Sequence, residues 1–129
     1  MNKVSLKTTL DKNFSDAITL VQEKLKENGF GTLTDVDLKE KFKEKLEVEY
    51  TNYRILGACN PEFAHKVLNI NKSVGLFLPC TVLVYEDEGR VFVEIQKPTF
   101  ISQVFENRKI KEIAKEVEKQ LEKAIAEIK

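Results

Sequence analysis

Between Leu78 and Ile95 the chain spells out a β-hairpin, and this hairpin limits the rest of the fold more than any other segment. Leu78 to Tyr85 and Val91 to Ile95 are rich in β-branched and aromatic residues, and Glu86-Asp87-Glu88-Gly89 between them supplies a glycine for a turn position with positive φ. With that four-residue turn, Tyr85 pairs with Arg90, Val84 with Val91, Leu83 with Phe92, Val82 with Val93, Thr81 with Glu94 and Cys80 with Ile95. One face is then Cys80, Val82, Val84, Val91, Val93 and Ile95, wholly apolar, and it has to lie under a helical layer. The other face carries Thr81, Leu83, Tyr85, Arg90, Phe92 and Glu94, half apolar and half polar. A face made only for water would not hold Leu83, Tyr85 and Phe92 together, so this face should touch something.

The helices that the apolar face requires are legible on either side. Asn13 is an N-cap with Asp16 three residues on, and Phe14, Ala17, Ile18, Val21 and Leu25 share one helical stripe that Asn28-Gly29 ends. Ile110, Ala114, Val117, Leu121, Ala124 and Ile128 recur at alternating spacings of four and three on a long terminal helix. About three heptads are short for a self-pairing coiled coil, which favours packing on the domain's own sheet. Val4, Leu6, Thr8 and Leu10 alternate with Ser5, Lys7 and Thr9 as a first strand. Phe30 to Val36 reads as a second strand, Asp37 to Glu47 as a short helix with Leu38, Phe42 and Leu46 four apart, and Val48 to Ala58 as a third strand. Asn60-Pro61 caps and opens a helical turn to about Leu68, followed by a loop over Asn71 to Gly75. The expected fold class is α+β: one domain over residues 1–129, in the order β-α-β-α-β-α-β-β-α. Its five-stranded, mostly antiparallel sheet is covered on one face by two long helices, with short helices inserted.

Composition narrows the function classes. The 129 residues fit one domain, and 21 Lys plus Arg against 21 Asp plus Glu leave no basic excess to attract nucleic acid or an anionic membrane. The longest uncharged run, Ser73 to Tyr85, is too short for a membrane span and is broken by Gly75 and Pro79. The start has no apolar stretch of a secretory signal, so the expectation is a cytoplasmic protein with both cysteines reduced. Neither a G-x-G-x-x-G nor a P-loop pattern occurs, and the Lys/Glu runs alternate in sign as solvated helix faces do.

The candidates for chemistry cluster in Ile55 to Cys80, which holds both cysteines and the single histidine. Cys59 precedes the Asn60-Pro61 cap, near the positive end of a helical turn where a thiolate is stabilised; the competing reading is a cysteine that simply packs. Cys80, on the apolar face beside Val82 and Val84, reads more strongly as core. A strand, a helical turn and a returning strand could bring the two thiols together, as a dithiol or half of a metal site. A closed zinc site needs four ligands and the spacing supplies no such set, so no metal and no cofactor are expected. His65 has the chemistry of a general base but no serine or acid at triad spacing, and reads as a half-exposed structural residue. Glu94, on the open face near Thr81, Phe92 and Arg54, is the best carboxylate for a site, weighed against an ordinary ion pair.

Leu56-Gly57-Ala58-Cys59-Asn60-Pro61, then Phe63-Ala64-His65-Lys66-Val67-Leu68, then Val74-Gly75-Leu76-Phe77-Leu78-Pro79-Cys80, resemble the bacterial and archaeal family called domain of unknown function 302. The likeness extends over nearly the whole chain, with one departure: Lys97-Pro98 stands where the family commonly has Asp-Pro. The resemblance implies a curved antiparallel sheet similar to the TATA-binding-protein-like class, without implying DNA binding, and usually a homodimer. It carries Cys59, Asn60, Pro61 and Cys80 over as a site of undefined role, in a family with no established biochemical activity.

Two functions follow as expectations. The first is a homodimer that takes an unidentified small molecule on the open sheet face, with Asn60, Pro61, Leu83, Tyr85, Phe92 and Glu94 as binding residues. The second is a thiol-dependent redox or metal-linked activity with Cys59 as nucleophile and Cys80 as its partner. Acid/base catalysis by Glu94 with His65 is a weaker third, since nothing in the sequence places the two together.

Overall fold

The computed structural model describes residues 4–129. Strands β1 (Ser5–Leu10), β2 (Gly31–Asp37), β3 (Tyr53–Cys59), β4 (Cys80–Asp87) and β5 (Arg90–Gln96) form one antiparallel sheet in the order β1-β5-β4-β3-β2. Helices α1 (Phe14–Glu27) and α4 (Arg108–Ile128) pack on one face, α3 (Pro61–Ile70) lies beside them, and α2 (Leu38–Leu46) follows β2 directly. The fold class is the one expected: α+β, an open sheet with helices packed on it.

The core forms where the apolar stripes meet. Val21 and Leu25 of α1 and Leu121, Ala124 and Ile128 of α4 are buried against Leu56, Val82, Val84, Val93 and Ile95 of the sheet. Helices α1, α3 and α4 each start on an asparagine cap whose side chain accepts a backbone N–H, Asn13 from Asp16 at 2.8 Å, Asn60 from Phe63 at 3.3 Å and Asn107 from Ile110 at 3.1 Å, and α2 starts on Asp37, which accepts from Glu40 at 3.1 Å. At the far ends, the Asn28 amide donates to Glu127 at 2.9 Å and ties α1 to α4. The terminal helix therefore packs on its own sheet, as its short heptad run suggested.

Three local expectations are corrected. The hairpin register differs by two residues: Asp87 pairs with Arg90, Glu86 with Val91, Tyr85 with Phe92, Val84 with Val93, Leu83 with Glu94 and Val82 with Ile95. The cause is the turn, which is only Glu88-Gly89, both with positive φ (50° and 79°), so β4 runs on to Asp87. A two-residue slip leaves every side chain on its expected face, and Val82, Val84, Val91, Val93 and Ile95 are all buried. The third strand starts at Tyr53, not Val48. Glu47 takes a left-handed conformation at the end of α2 (φ 55°) and the Val48 N–H donates back to the Phe42 carbonyl, so residues 48–52 are spent returning the chain to the sheet. Asn71 to Gly75 is not a plain loop, because a 3-10 helix spans Lys72–Phe77 from the Asn71 cap.

Candidate functional site

The long helices α1 and α4 both pack on the opposite face, and the central side chains of the sheet's other face are half-buried. Register fixes which ones they are. Alternation places Ser5 and Lys7 of β1, Phe92, Glu94 and Gln96 of β5, Thr81, Leu83 and Tyr85 of β4, and Tyr53, Ile55 and Gly57 of β3 on this side.

Aromatic rings cross the strands in a row. Tyr53 stacks on Tyr85 at 5.2 Å between centroids and Tyr85 on Phe92 at 5.4 Å, with interplanar angles of 16° and 19°. Such cross-strand pairs add to sheet stability beyond their buried area. Lys7 closes one end with its Nζ 5.1 Å from the Phe92 centroid, and Tyr50 and Phe42 continue the other end toward α2.

Glu94 stands beside this row. Its Oε1 accepts from Ser5 Oγ at 2.7 Å, its Oε2 accepts from Tyr85 Oη at 2.6 Å, and Lys7 Nζ lies 3.9 Å away. Burial alone would raise the carboxyl's pKa, but the two hydroxyl donors and the Lys7 charge outweigh burial and hold it below its ordinary value. Tyr85 is displaced the opposite way: burial first, then its bond to the Glu94 carboxylate, push the phenol up. The result is an ionised carboxylate and a neutral phenol locked together on the face away from α1 and α4. Because the Glu94 pKa is depressed on folding, its contribution to stability is present above the unfolded pKa near 4.5 and is lost as pH falls through the folded value. The stability difference between the wild type and Glu94→Gln, measured by urea unfolding, is therefore expected to be largest near pH 6 to 7 and to shrink toward pH 3. A gap that stays constant with pH would contradict the ionised cluster.

Two grooves open on this face. One of about 240 Å³ is lined by Val4, Ser5, Thr81, Leu83, Glu94 and Gln96. A second of about 290 Å³ adjoins it through Thr81 and Gln96 and continues to Val36, Ile55, Leu76, Phe77, Leu78 and Pro79. Gly57 lies between them and the neighbouring strand: a Cβ there would meet Thr34 Oγ1 at 2.3 Å and Pro79 Cγ at 2.6 Å.

The thiols lie on the other side. Cys59 and Cys80 border one apolar pocket beneath α3 and α4, with Phe63, Val67, Ile110 and Ala114, and both are free thiols. Burial, with a smaller effect from Cys59, pushes the Cys80 thiol up to about 11. The free space there is about 40 Å³, room for a water or two and not for an organic ligand. Asn60 and Pro61 stand at the head of α3, the first as its cap and the second at its first turn. His65 is exposed on α3, where its Nε2 lies 3.3 Å from Asn69 Nδ2. Among the described residues, no group of three or more His, Cys, Asp or Glu side chains is placed to hold a metal ion, and no helix is long and apolar enough to cross a membrane.

Of the residues singled out from sequence, the structure brings Leu83, Tyr85, Phe92 and Glu94 together on the open face. It groups Cys59, Asn60 and Cys80 around the pocket on the opposite side, and separates His65 from Glu94 by the sheet. Arg54 is not a neighbour of Glu94: it points to the helix-covered side and forms a two-pronged ion pair with Asp35. The partners that Glu94 does have, Ser5 and Lys7, come from β1, 87 or more residues away, and no pattern within the hairpin signals them.

A family model described as Domain of unknown function DUF302 matches residues 6–128. Among solved structures, the chain is similar to the crystal structure of an uncharacterized conserved protein DUF302 from Bacillus stearothermophilus, at 33% identity over 99% of this chain and 100% of that one, with a TM-score of 0.92. No curated protein matches the chain.

Proposed function

The chain belongs to the family described as Domain of unknown function DUF302, and from that premise we propose that it is a binding domain whose working surface is the open sheet face. Two copies pair across this face, and a small polar molecule seats in the groove beside Glu94. The observation that carries this reading is the Glu94 cluster: an ionised carboxylate, a hydroxyl and stacked rings assembled on the face away from α1 and α4. A carboxylate has about four acceptor positions, and Ser5, Tyr85 and the distant Lys7 do not use all of them. The ligand is thus one that presents an N–H or O–H to Glu94 and an apolar flank to Leu83.

The chain has no Trp, and its three tyrosines, Tyr50, Tyr53 and Tyr85, all stand in the ring row, so tyrosine emission reports on this face. Screening small amines and amino alcohols by that emission should give saturable changes that Glu94→Gln weakens about tenfold or more, the worth of a hydrogen bond to a charged group. Saturable binding that Glu94→Gln leaves unchanged would remove Glu94 from the site.

The alternative is a thiol-dependent redox or metal-linked activity with Cys59 as nucleophile and Cys80 as partner. Its support is that both thiols border one pocket. Against it stand the small free volume and the raised Cys80 pKa, which leave little room for a substrate and little thiolate on the partner. Alkylation of Cys59 at pH 7 faster than that of an ordinary exposed thiol would put this alternative first.

A further inference from the structure

Register sorts the open face into three rows that run across the strands. Phe92, Tyr85 and Tyr53 make the row of rings; Glu94, Leu83, Ile55 and Val36 make the next; Gln96, Thr81, Gly57 and Thr34 make the third. The two grooves lie over the second and third rows and share Thr81 and Gln96, so their volumes of about 240 and 290 Å³ form one continuous cleft.

The two sides of this cleft differ in chemistry. The second row begins on the Glu94 carboxylate and is apolar from there on, and Leu78 and Pro79 extend its apolar end. The third row is neutral and polar: it offers an amide from Gln96 and hydroxyls from Thr81 and Thr34, whose side chains hydrogen-bond to none of the described residues. Among the described residues that line the cleft, Glu94 alone is charged. Lys7 answers that charge from the ring row: its Nζ lies over Phe92, on the side of Glu94 away from Gln96, and Lys7 lines neither groove.

An occupant has to match all three surfaces at once. A carboxylate with unused acceptor positions takes an ammonium. A row of amide and hydroxyl groups takes neutral donors and acceptors, because polar groups left dry and unpaired cost affinity. An apolar side takes an apolar group. A plain alkylamine leaves the polar row unanswered, and a polyol leaves the apolar row unanswered. Glu94 and Ile55 stand two strands apart, about 9.5 Å, which is the reach of about three extended residues.

We propose that the cleft binds a short linear peptide by its free amino end: the ammonium on Glu94, the first peptide groups along Gln96, Thr81 and Thr34, and an apolar third side chain against Ile55, Leu78 and Pro79. The inference rests on the reading of the open face as a ligand seat and names the class of ligand. Since no cation lines the cleft among the described residues, recognition does not extend to the peptide's carboxyl end.

The test titrates the full chain by calorimetry with glycylglycylleucinamide and three relatives: its N-acetyl form, triglycinamide, and octylamine, which spans a similar length without peptide groups. Blocking the amine should weaken binding about tenfold or more, and removing the leucine side chain about tenfold. Octylamine should bind about fivefold more weakly than the tripeptide amide, and Gln96→Leu should remove that preference. A tripeptide amide bound no more tightly than octylamine would overturn the peptide contacts, and a preference that Gln96→Leu leaves intact would overturn the polar row as their seat. Affinity unchanged by acetylation would overturn the seat of the ammonium. In each of these cases simple amines whose binding depends on Glu94 would leave the reading of the open face standing. No saturable binding by any amine, simple or peptidic, would overturn both.

Discussion

Replacing Gly57 by alanine is expected to destabilise the protein by about 2 to 3 kcal/mol, lowering its melting temperature by roughly 6 to 15 °C. Gly57 lies in β3 with its missing side chain directed at the open face, where Thr34 Oγ1 would be 2.3 Å and Pro79 Cγ 2.6 Å from an added Cβ. Both separations are far inside van der Waals contact. The Thr34 hydroxyl can rotate away, but the Pro79 ring is rigid and precedes Cys80, where β4 begins, so relief on that side has to come from the backbone. The effect therefore reaches the groove, since Thr34, Gly57 and Pro79 all line it. Thr34 is exposed, so Thr34→Ala alone should cost little, and Thr34→Ala with Gly57→Ala should recover part of the loss but not all. Thermal melts of the three variants check this. Gly57→Ala within about 0.5 kcal/mol of wild type would mean that β3 and β4 are not pressed together at this point.

Cys80 is expected to react with iodoacetamide at pH 7 about a hundredfold more slowly than an ordinary exposed thiol. The thiolate is the nucleophile, and a pKa of about 11 against an ordinary 9.0 leaves roughly a hundredth of the usual thiolate at neutral pH. Burial is the main cause, because β4 places the sulfur beside α4 and α3 where little water enters. The measurement is time-resolved alkylation of the native protein with the peptide containing Cys80 quantified by mass spectrometry. Reaction at the ordinary rate would show that the pocket opens readily and would revive the thiol alternative.

Much of this architecture can be read from short-range pattern. The stripes of α1 and α4, the asparagine caps and the two faces of the hairpin depend on residues within a few positions of one another, and local pattern carries that information. The turn was harder because Glu88 takes a positive φ, and a glutamate gives no sign of doing so where glycine or asparagine would. The β-branched and aromatic composition of Val48 to Asn52 suggests strand, but those residues return the chain from α2 and meet the sheet only at its end, where Thr51 and Asn52 hydrogen-bond to Glu86 of β4.

The site was half legible for a related reason. Tyr85, Phe92, Leu83 and Glu94 share a face by hairpin periodicity alone. Ser5 and Lys7 join Glu94 only because β1 pairs with β5, and Tyr53 joins the ring row only because β3 pairs with β4. Strand order is a long-range outcome of helix packing, and no motif in these segments encodes it. Gly57 belongs to the same class: its role depends on a proline 22 residues later and a threonine on the edge strand.

The most direct test of the open face as the working surface is acrylamide quenching of tyrosine emission at about 100 μM and at about 0.1 μM protein, a range that brackets a micromolar dissociation constant, with light scattering on the same samples. All three tyrosines stand on or beside that face, and no tryptophan masks them. The account predicts shielded tyrosines and a mass of twice 14.8 kDa at the high concentration, and more accessible tyrosines as the mass falls toward 14.8 kDa on dilution. Equal quenching at both concentrations while the mass halves would place pairing elsewhere on the molecule, and a mass of 14.8 kDa throughout would contradict pairing outright.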